Sequence, residues 1–156
     1  MTEIKRATRI DLDALLPLVG AYRTFYDQAP DLRREREFLR RQLEDGTSTI
    51  YLARDEREEA VGFVQIFQVY STVRLGLSLI LENLFVVPSA RRMGVATRLL
   101  QRALEFARDV GAMEMFLETA KDNIAARDAY ERAGWTRERR FLKYNAPPLD
   151  EDIDKR

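Results

Sequence analysis

The chain contains no cysteine and no histidine among its 156 residues. Without cysteine there is no disulfide, no thiolate metal site and no cysteine nucleophile. Without histidine, the side chain that most often serves as a general base or metal ligand near neutral pH is missing. Any catalysis must therefore use carboxylates, phenols, hydroxyls, lysine, arginine or backbone groups, and we expect no bound metal.

An excess of charge of either sign is also missing, because 26 Lys and Arg residues balance 26 Asp and Glu residues. Nucleic-acid-binding domains usually carry a basic excess, so we expect no nucleic-acid partner. No apolar run reaches the length of a membrane-spanning helix, and no signal peptide opens the chain. We therefore expect a cytoplasmic protein without a membrane partner, built as one domain over residues 1–146 with a polar tail at 147–156.

Hydrophobic periodicity predicts the order strand, two helices, three strands, helix, strand, helix and two closing strands. This order favours an α/β (α+β) fold with a central mixed sheet and helices on both faces. We expect Pro17 to break the first helix near Leu16, and residues 112–119 to form a buried strand. The second helix, Asp31 to Glu44, is expected to turn the apolar side chains Leu32, Phe38, Leu39 and Leu43 inward. The predicted strands are 3–7, 48–54, 60–70, 79–87, 112–119, 135–139 and 140–144.

The chain from Leu79 to Val110 carries the main functional signal. An apolar strand ends at Pro88, and a helix with an apolar stripe follows the turn Arg91-Arg92-Met93-Gly94. The first N–H groups of a helix lack internal acceptors and lie at the positive end of its dipole, so they bind phosphate well. Gly94 would let a ligand approach the backbone closely. The pattern predicts an anion site at the N–H groups of residues 92–97, within the segment 88–97 that is here called the corner; an ordinary strand–turn–helix corner with two solvated arginines is the alternative.

Arg91, Gly94 and Ala96 form an R-x-x-G-x-A pattern between this strand and helix. The pattern resembles the acetyl-coenzyme A signature [QR]-x-x-G-x-[GA] of the GNAT superfamily of N-acetyltransferases. The order of predicted elements is similar to the GNAT fold over nearly the whole chain. The resemblance implies a mostly antiparallel, twisted mixed sheet and acetyl-CoA as co-substrate.

A second pattern, N-x-x-A-x-x-x-Y, is formed by Asn123, Ala126 and Tyr130 and is followed by Gly134 and Trp135. The three residues share one helix face. Helix capping and core packing explain them without a function, but the pattern also resembles the second GNAT block. The resemblance implies that Asn123 binds the pantetheine arm or a nearby water and that the Tyr130 hydroxyl faces the thioester sulfur. A phenol with its ordinary pKa near 10 would match a leaving thiol near 8.5 without a large gap.

Glu82 is an acidic residue inside the apolar strand, where an unpaired carboxylate is costly. It either pairs with an arginine such as Arg74, or acts as a base. Residues 81–86, Leu-Glu-Asn-Leu-Phe-Val, resemble the L-E-D-x-F-V stretch of polyamine-type GNAT enzymes, in which that glutamate is the base. Asn83 departs from the aspartate often found there, which argues against a polycationic substrate.

The sequence therefore predicts an acetyl-CoA-dependent N-acetyltransferase that moves the acetyl group directly to a primary amine in a ternary complex. A non-catalytic acyl-CoA sensor and a purely structural interaction domain are the alternatives. The acceptor is a small-molecule amine or a protein lysine, and a homodimer is possible. Tyr22, Phe25, Tyr26 and Tyr70 either line the acceptor pocket or belong to the core. The predicted catalytic residues are Glu82 and Tyr130, and the predicted cofactor-binding residues are Leu84, Phe85, Val86, Arg91, Arg92, Met93, Gly94, Val95, Ala96, Thr97, Asn123, Ala126 and Tyr130.

Overall fold

The computed structural model describes residues 1–149. Single turns of 3-10 helix at Arg9–Asp11 and Pro88–Ala90 precede α1 and α3. In chain order the elements are β1 (Glu3–Arg6), α1 (Leu12–Phe25), α2 (Leu32–Asp45), β2 (Ser48–Arg54), β3 (Ala60–Ser71), β4 (Gly76–Val86), α3 (Val95–Asp109), β5 (Glu114–Phe116) and α4 (Ile124–Arg132).

The five strands form one sheet in the order β1-β2-β3-β4-β5. The first four strands are antiparallel to their neighbours, and β5 is parallel to β4. A parallel pair needs a crossover connection, and α3 provides it. The mixed, mostly antiparallel sheet predicted from the sequence is confirmed.

Helices cover both faces of the sheet, as β2 shows. Ile50 and Leu52 face one cluster of buried residues with α1 and α2, whereas Tyr51 and Ala53 face a second cluster with α3. Alternate residues of a strand point to opposite faces, so a strand buried on both sides has a nearly continuous apolar sequence. The site described below lies where these two layers meet at one end of the sheet.

Helix α1 does not break at Pro17, contrary to the expectation from sequence. Pro17 is exposed on a continuous helix, and the hydrogen bond that it cannot make would have gone to the carbonyl of Asp13 in the first turn. Asp13 is also exposed, so water can satisfy that carbonyl. The proline therefore costs less here than in the buried middle of a helix.

The inward face of α2 was also predicted incorrectly in part. Leu32 and Phe38 are 65% and 52% exposed, while Leu39 and, unexpectedly, Glu35 are buried. The Glu35 carboxylate lies 3.0 Å from the Arg23 guanidinium of α1. This ion pair turns the helix face with Glu35 and Leu39 towards α1, and Phe38 consequently faces away from it.

The C-terminal part of the sheet is smaller than predicted. β5 has only three residues, with Glu114 and Phe116 exposed, and residues 135–149 contain neither of the two closing strands. The Glu138 carboxylate accepts hydrogen bonds from the N–H groups of Arg139 and Arg140. This local turn competes with strand pairing, and it lies in a run of four charged residues, 137–140. Within residues 1–149, the outer edge of β5 therefore has no neighbouring strand.

A candidate active site where two strands part

Strands β4 and β5 separate partway along β4. Their parallel pairing ends where Ile80 lies opposite Phe116, whereas β4 continues to Val86. Over residues 84–86, the only strand neighbour of β4 in the described part of the chain is β3. The opening thus has a free backbone edge, made by Leu84, Phe85 and Val86, along one wall.

Glu82 lies at this opening on a β-bulge. Gln65 of β3 pairs with Asn83, and the next residue, Ile66, pairs with Leu81, so Glu82 is the extra residue. A bulge bends the strand and redirects a side chain, and bulges are frequent beside active sites. The Glu82 side chain is exposed, and the ion pairs of residues 1–149 do not include it. Arg74 pairs instead with Glu114, at 3.8 Å, so the alternative in which Glu82 is a structural partner of Arg74 is wrong.

The corner presents a row of free N–H groups. By hydrogen-bond geometry, the N–H groups of residues 92–97 have no acceptor within residues 1–149, and the first helical bond runs from Arg98 to the Gly94 carbonyl. Arg92 and Gly94 have φ angles of 63° and 82°, which turn the chain sharply before α3. A side chain at Gly94 would project into open space, with nothing within 4 Å of its Cβ. The backbone here is therefore accessible to a ligand.

The side chains of the corner divide into two groups. Val95 is buried and Ala96 packs against the core, so only their N–H groups face outwards, while Arg92, Met93 and Thr97 are exposed. Arg91 donates a hydrogen bond from Nε to the Val86 carbonyl at 3.0 Å and lies 5.9 Å from the Phe85 ring centroid. Its guanidinium therefore holds the end of β4. Both arginines are exposed, but within residues 1–149 the Arg92 guanidinium has no hydrogen-bond or ion-pair partner.

The second motif lies on α4. Asn123 is the N-cap, and its Oδ1 accepts a hydrogen bond from the N–H of Ala126 at 3.4 Å. This oxygen is thus already used in capping the helix, although the side-chain amide nitrogen is not. Tyr130 packs beside Trp135, with ring centroids 6.3 Å apart. Burial, with a smaller effect of Tyr26, raises the pKa of the Tyr130 phenol to about 12.

Aromatic side chains from α1 complete the site. Tyr22 lies edge-on to Tyr26 at a centroid distance of 5.1 Å and to Phe63 at 5.9 Å. Burial raises the pKa of Tyr22 far above its usual value, and the nearby Tyr26, Tyr130 and Glu82 add to the rise. Tyr22 of α1 and Tyr26, the residue after α1, are in edge-on contact, while Glu82 lies on the bulge of β4 and Tyr130 on α4. These four residues are called the mouth.

Of the other two aromatic candidates, Phe25 packs on Tyr26 and is half exposed. Tyr70 lies opposite Leu77 near the hairpin end of β3 and is 79% exposed. It is therefore distant along the sheet from the bulge at Glu82, and it belongs neither to the mouth nor to the core.

Sequence reasoning missed two further groups at the opening. Glu118 follows β5, and its carboxylate forms an ion pair with the ammonium of Lys143. The strand pairing could have indicated Glu118. Ile80 and Phe116 are paired, and Glu82 and Glu118 each lie two residues beyond them. The sequence does not show the contact with Lys143, because the two residues are 25 positions apart.

A buried chain of side-chain amides supports the bulge from behind. Asn83 donates to Gln65 at 2.9 Å, Gln65 donates to Ser48 at 2.8 Å, and the Ser48 hydroxyl donates to Gln42 at 3.0 Å. Gln65 and Ser48 are buried. The network connects β4, β3, β2 and the C-terminal half of α2, and it fixes the residue next to Glu82.

Comparison with known proteins agrees with this geometry. The chain belongs to the acetyltransferase (GNAT) family, whose model matches residues 13–135, and it is accordingly an N-acetyltransferase. It is 39% identical to the N-acetyltransferase YhfO of Bacillus subtilis (strain 168) over 141 residues, which cover 90% of this chain and 94% of that protein. It is 30% identical to a probable acetyltransferase of Haemophilus influenzae over 77% of this chain and 82% of that protein. A crystal structure of a probable acetyltransferase superposes with a TM-score of 0.89 at 37% identity, over 96% of this chain and 99% of that one.

Proposed function

We propose that the protein transfers an acetyl group from acetyl-CoA directly to a primary amine, with both substrates bound at once. The observation that carries the proposal is the mouth itself. It combines a carboxylate on a bulge with a partly buried phenol near a free strand edge, and the corner with its unpaired N–H groups begins two residues after that edge. This arrangement supports the proposal that an acid–base pair acts next to a site for an extended, phosphate-bearing thioester.

The residues of the corner fit the coenzyme. The N–H groups of residues 92–97, with Arg92 beside them, would hold the diphosphate, because these donors otherwise lack partners. The free edge of Leu84, Phe85 and Val86 would bind the pantetheine arm, and its N–H groups would hold the thioester carbonyl in the manner of an oxyanion hole. Asn123 would contribute its amide nitrogen to the same arm. When bound, the coenzyme supplies an activated acyl group.

Glu82 would remove the proton from the acceptor amine. An alkyl ammonium has a pKa near 10.4, so at pH 7 only about one molecule in 2,500 is neutral and able to attack a carbonyl. A positioned carboxylate accepts that proton, either directly or through a water molecule. Glu82 is suited to this role because it lies on the bulge at the opening and, within residues 1–149, forms no ion pair.

Tyr130 would donate a hydrogen bond to the sulfur as it leaves. With a pKa of about 12, the phenol stays protonated at neutral and mildly alkaline pH. This value lies well above the thiol pKa near 8.5, so the proton remains closer to the tyrosine oxygen while the thiolate departs. The pKa values of the Tyr130 phenol and the leaving thiol are therefore not closely matched, contrary to the expectation from sequence. Tyr130 would instead stabilise the thiolate by a hydrogen bond without being ionised.

The acceptor is a small-molecule amine or a protein lysine, and the aromatic rings of Tyr22 and Tyr26 would contact its carbon chain. The large apolar side chains Phe141, Leu142 and Tyr144 are exposed. A second copy covering them would give a homodimer, which sedimentation analysis would detect. Within residues 1–149, no helix is long and apolar enough to cross a membrane. A cytoplasmic location stays a prediction.

The test is thiol release from acetyl-CoA with a panel of primary amines, for the parent protein and for Glu82→Gln. We expect turnover with at least one amine and a loss of about 100-fold or more in the variant at neutral pH. Calorimetric affinity for acetyl-CoA should be unchanged, because the substituted side chain does not touch the corner. Glu3→Gln, which alters an exposed glutamate at the opposite edge of the sheet, is the matched control.

Two outcomes would contradict the proposal. Binding of acetyl-CoA without thiol release for any amine would favour the non-catalytic sensor. Equal turnover in the parent and in Glu82→Gln would remove Glu82 from the role of base.

A further inference from the structure

Residues 135–149, here called the arm, follow α4 without regular secondary structure. Trp135 anchors the start of the arm against the core. Further along, the arm is tied to the sheet by the ion pair between the Lys143 ammonium and the Glu118 carboxylate. The arm therefore brings a primary amine from the C-terminal region to the side of the opening that belongs to β5.

The strand register relates Glu118, the ion-pair partner of Lys143, to the proposed base. Ile80 and Phe116 are the last paired residues of β4 and β5, and Glu82 and Glu118 each lie two residues further on. Glu82 and Glu118 thus follow the last paired residues on the two sides of the opening. Glu118 first, and Glu82 to a smaller extent, raise the pKa of Lys143 above its usual value, so the ammonium lies within the field of both.

The other described lysines lack this environment. Lys5 pairs with Glu3 on β1, at the far edge of the sheet. Lys121 lies exposed in the loop before α4. Lys143 is the lysine that the fold holds beside the mouth, and its side chain is still 63% exposed and therefore free to move.

We propose that Lys143 is an internal acceptor, so that the enzyme acetylates its own Lys143 side chain. The inference rests on the proposed function and extends it to the substrate class. The site accepts an unbranched aliphatic primary amine of the lysine type, and Lys143 occupies the approach to Glu82 until an external amine displaces it or until it is acetylated.

The reaction balances without a further reagent. The Lys143 ammonium loses one proton to Glu82, and its nitrogen lone pair then attacks the thioester carbonyl carbon. A carbon–nitrogen bond forms and the carbon–sulfur bond breaks. The second proton on nitrogen leaves with the thiolate as coenzyme A thiol, and the proton on Glu82 passes to solvent. The product is a neutral acetamide, which cannot pair with Glu118 and so frees the opening.

The experiment is incubation of the full chain with acetyl-CoA and no added amine, followed by intact mass spectrometry and peptide mapping. We expect one acetyl group at Lys143, added at least about tenfold faster than at Lys5 or Lys121, because the reacting groups are held together. The rate constant should not depend on protein concentration. Modification of Lys143, Lys5 and Lys121 at equal rates, or a rate proportional to protein concentration, would overturn the inference.

Two variants sharpen the test. Glu118→Gln should slow acetylation of Lys143 several-fold through loss of the ion pair, while turnover of added amines continues. Lys143→Gln should abolish the modification, and turnover of added amines should continue, because the neutral amide leaves Glu118 as the acetylated lysine would. Thiol release with added amines but an unmodified Lys143 would refute the internal acceptor alone, whereas absence of both coenzyme binding and thiol release would refute the proposed function with it.

Discussion

The corner and the mouth are built in different ways, although they adjoin each other. The corner uses consecutive residues, 88–97, and presents backbone N–H groups, so its properties follow from one turn and the start of one helix. The mouth uses side chains from three elements that lie far apart in the sequence, and it depends on how α1, β4 and α4 pack together. Under the proposed function, binding of the coenzyme would therefore depend on local geometry, and selection of the acceptor would depend on tertiary packing.

The largest effect on acetyl-CoA binding should come from Gly94→Val, a substitution in the corner. The substitution strains a residue with φ of 82° and places a branched side chain where the ligand would lie. We expect acetyl-CoA affinity to fall by about 100-fold or more, measured by calorimetry, because several phosphate contacts are lost together. Gly111→Val is the matched control, since Gly111 also has positive φ, 69°, and open surroundings, but lies beyond the other end of α3. An equal loss in the control would mean that strain, not the site, causes the effect.

A smaller effect is expected from Tyr130→Phe, which alters the mouth while preserving its packing. Loss of one hydrogen bond to a developing thiolate, worth about 1.5–3 kcal/mol, should lower the acetyl-transfer rate by about 10- to 100-fold in single-turnover experiments. Acetyl-CoA affinity should change little, in contrast to Gly94→Val. An unaltered transfer rate would make Tyr130 a packing residue only.

The packing of the mouth can be tested through Glu35→Gln. Arg23 donates to both the Glu35 carboxylate and the Ala29 carbonyl, and so joins α2 to the turn that follows Tyr26. Since Arg23 is only partly buried, loss of the pair should cost about 1–3 kcal/mol of unfolding free energy in urea, less than for a fully buried pair. The Michaelis constant for the amine should rise, and coenzyme affinity should stay the same.

The control for this prediction lies two residues away on the same helix. Glu37 pairs with Arg40 and Arg41 on the exposed face, and both arginines hold its pKa down to about 2. Exposed pairs contribute little to stability, so Glu37→Gln should be nearly neutral. Similar destabilisation by both variants would contradict the importance of the buried pair.

The smallest effect concerns alkaline pH. Because burial raises the pKa of Tyr130 from 10.0 to about 12, the folded state holds a proton that the unfolded state has already lost between these values. The unfolded state then binds fewer protons, so stability is intact below about pH 10 and decreases as the pH rises towards 12. Melting temperatures from about pH 8 to 11 should fall less steeply for Tyr130→Phe than for the parent. Parallel curves would show that Tyr130 does not contribute.

Much of the fold was predictable because each signal was local. The β2–β3 hairpin, the Asn123 cap and the turn at Gly94 follow from capping chemistry, turn residues and alternation over a few positions. The prediction of two closing strands was wrong because residues 135–144 have strand-like ends but a charged centre that forms a local turn. The burial of Glu35 was not predicted because its partner, Arg23, is brought to it only by the tertiary structure.

The same distinction holds for the site. R-x-x-G-x-A marks the turn whose N–H groups lack acceptors within residues 1–149, and the binding of an anion there stays a prediction. The contact of Arg91 with the Val86 carbonyl depends on where β4 ends. Glu82 was singled out for its charge in an apolar strand, although its exposure arises from a bulge that the pairing of β3 creates. Glu118 and Lys143 were missed because neither is unusual until the strands are seen to part.

The amide chain through Asn83, Gln65 and Ser48 has a direction, since each side chain donates to the next. An aspartate at position 83 has no hydrogen to give, so Gln65 would have to rotate its amide and Ser48 would have to turn its hydroxyl away from Gln42. The replacement of one nitrogen by oxygen beside the bulge would thus change hydrogen bonds on three strands and at the end of α2. Asn83 thereby determines the direction of donation along the chain, and an acidic substitution would alter contacts of α2 as well as those beside Glu82.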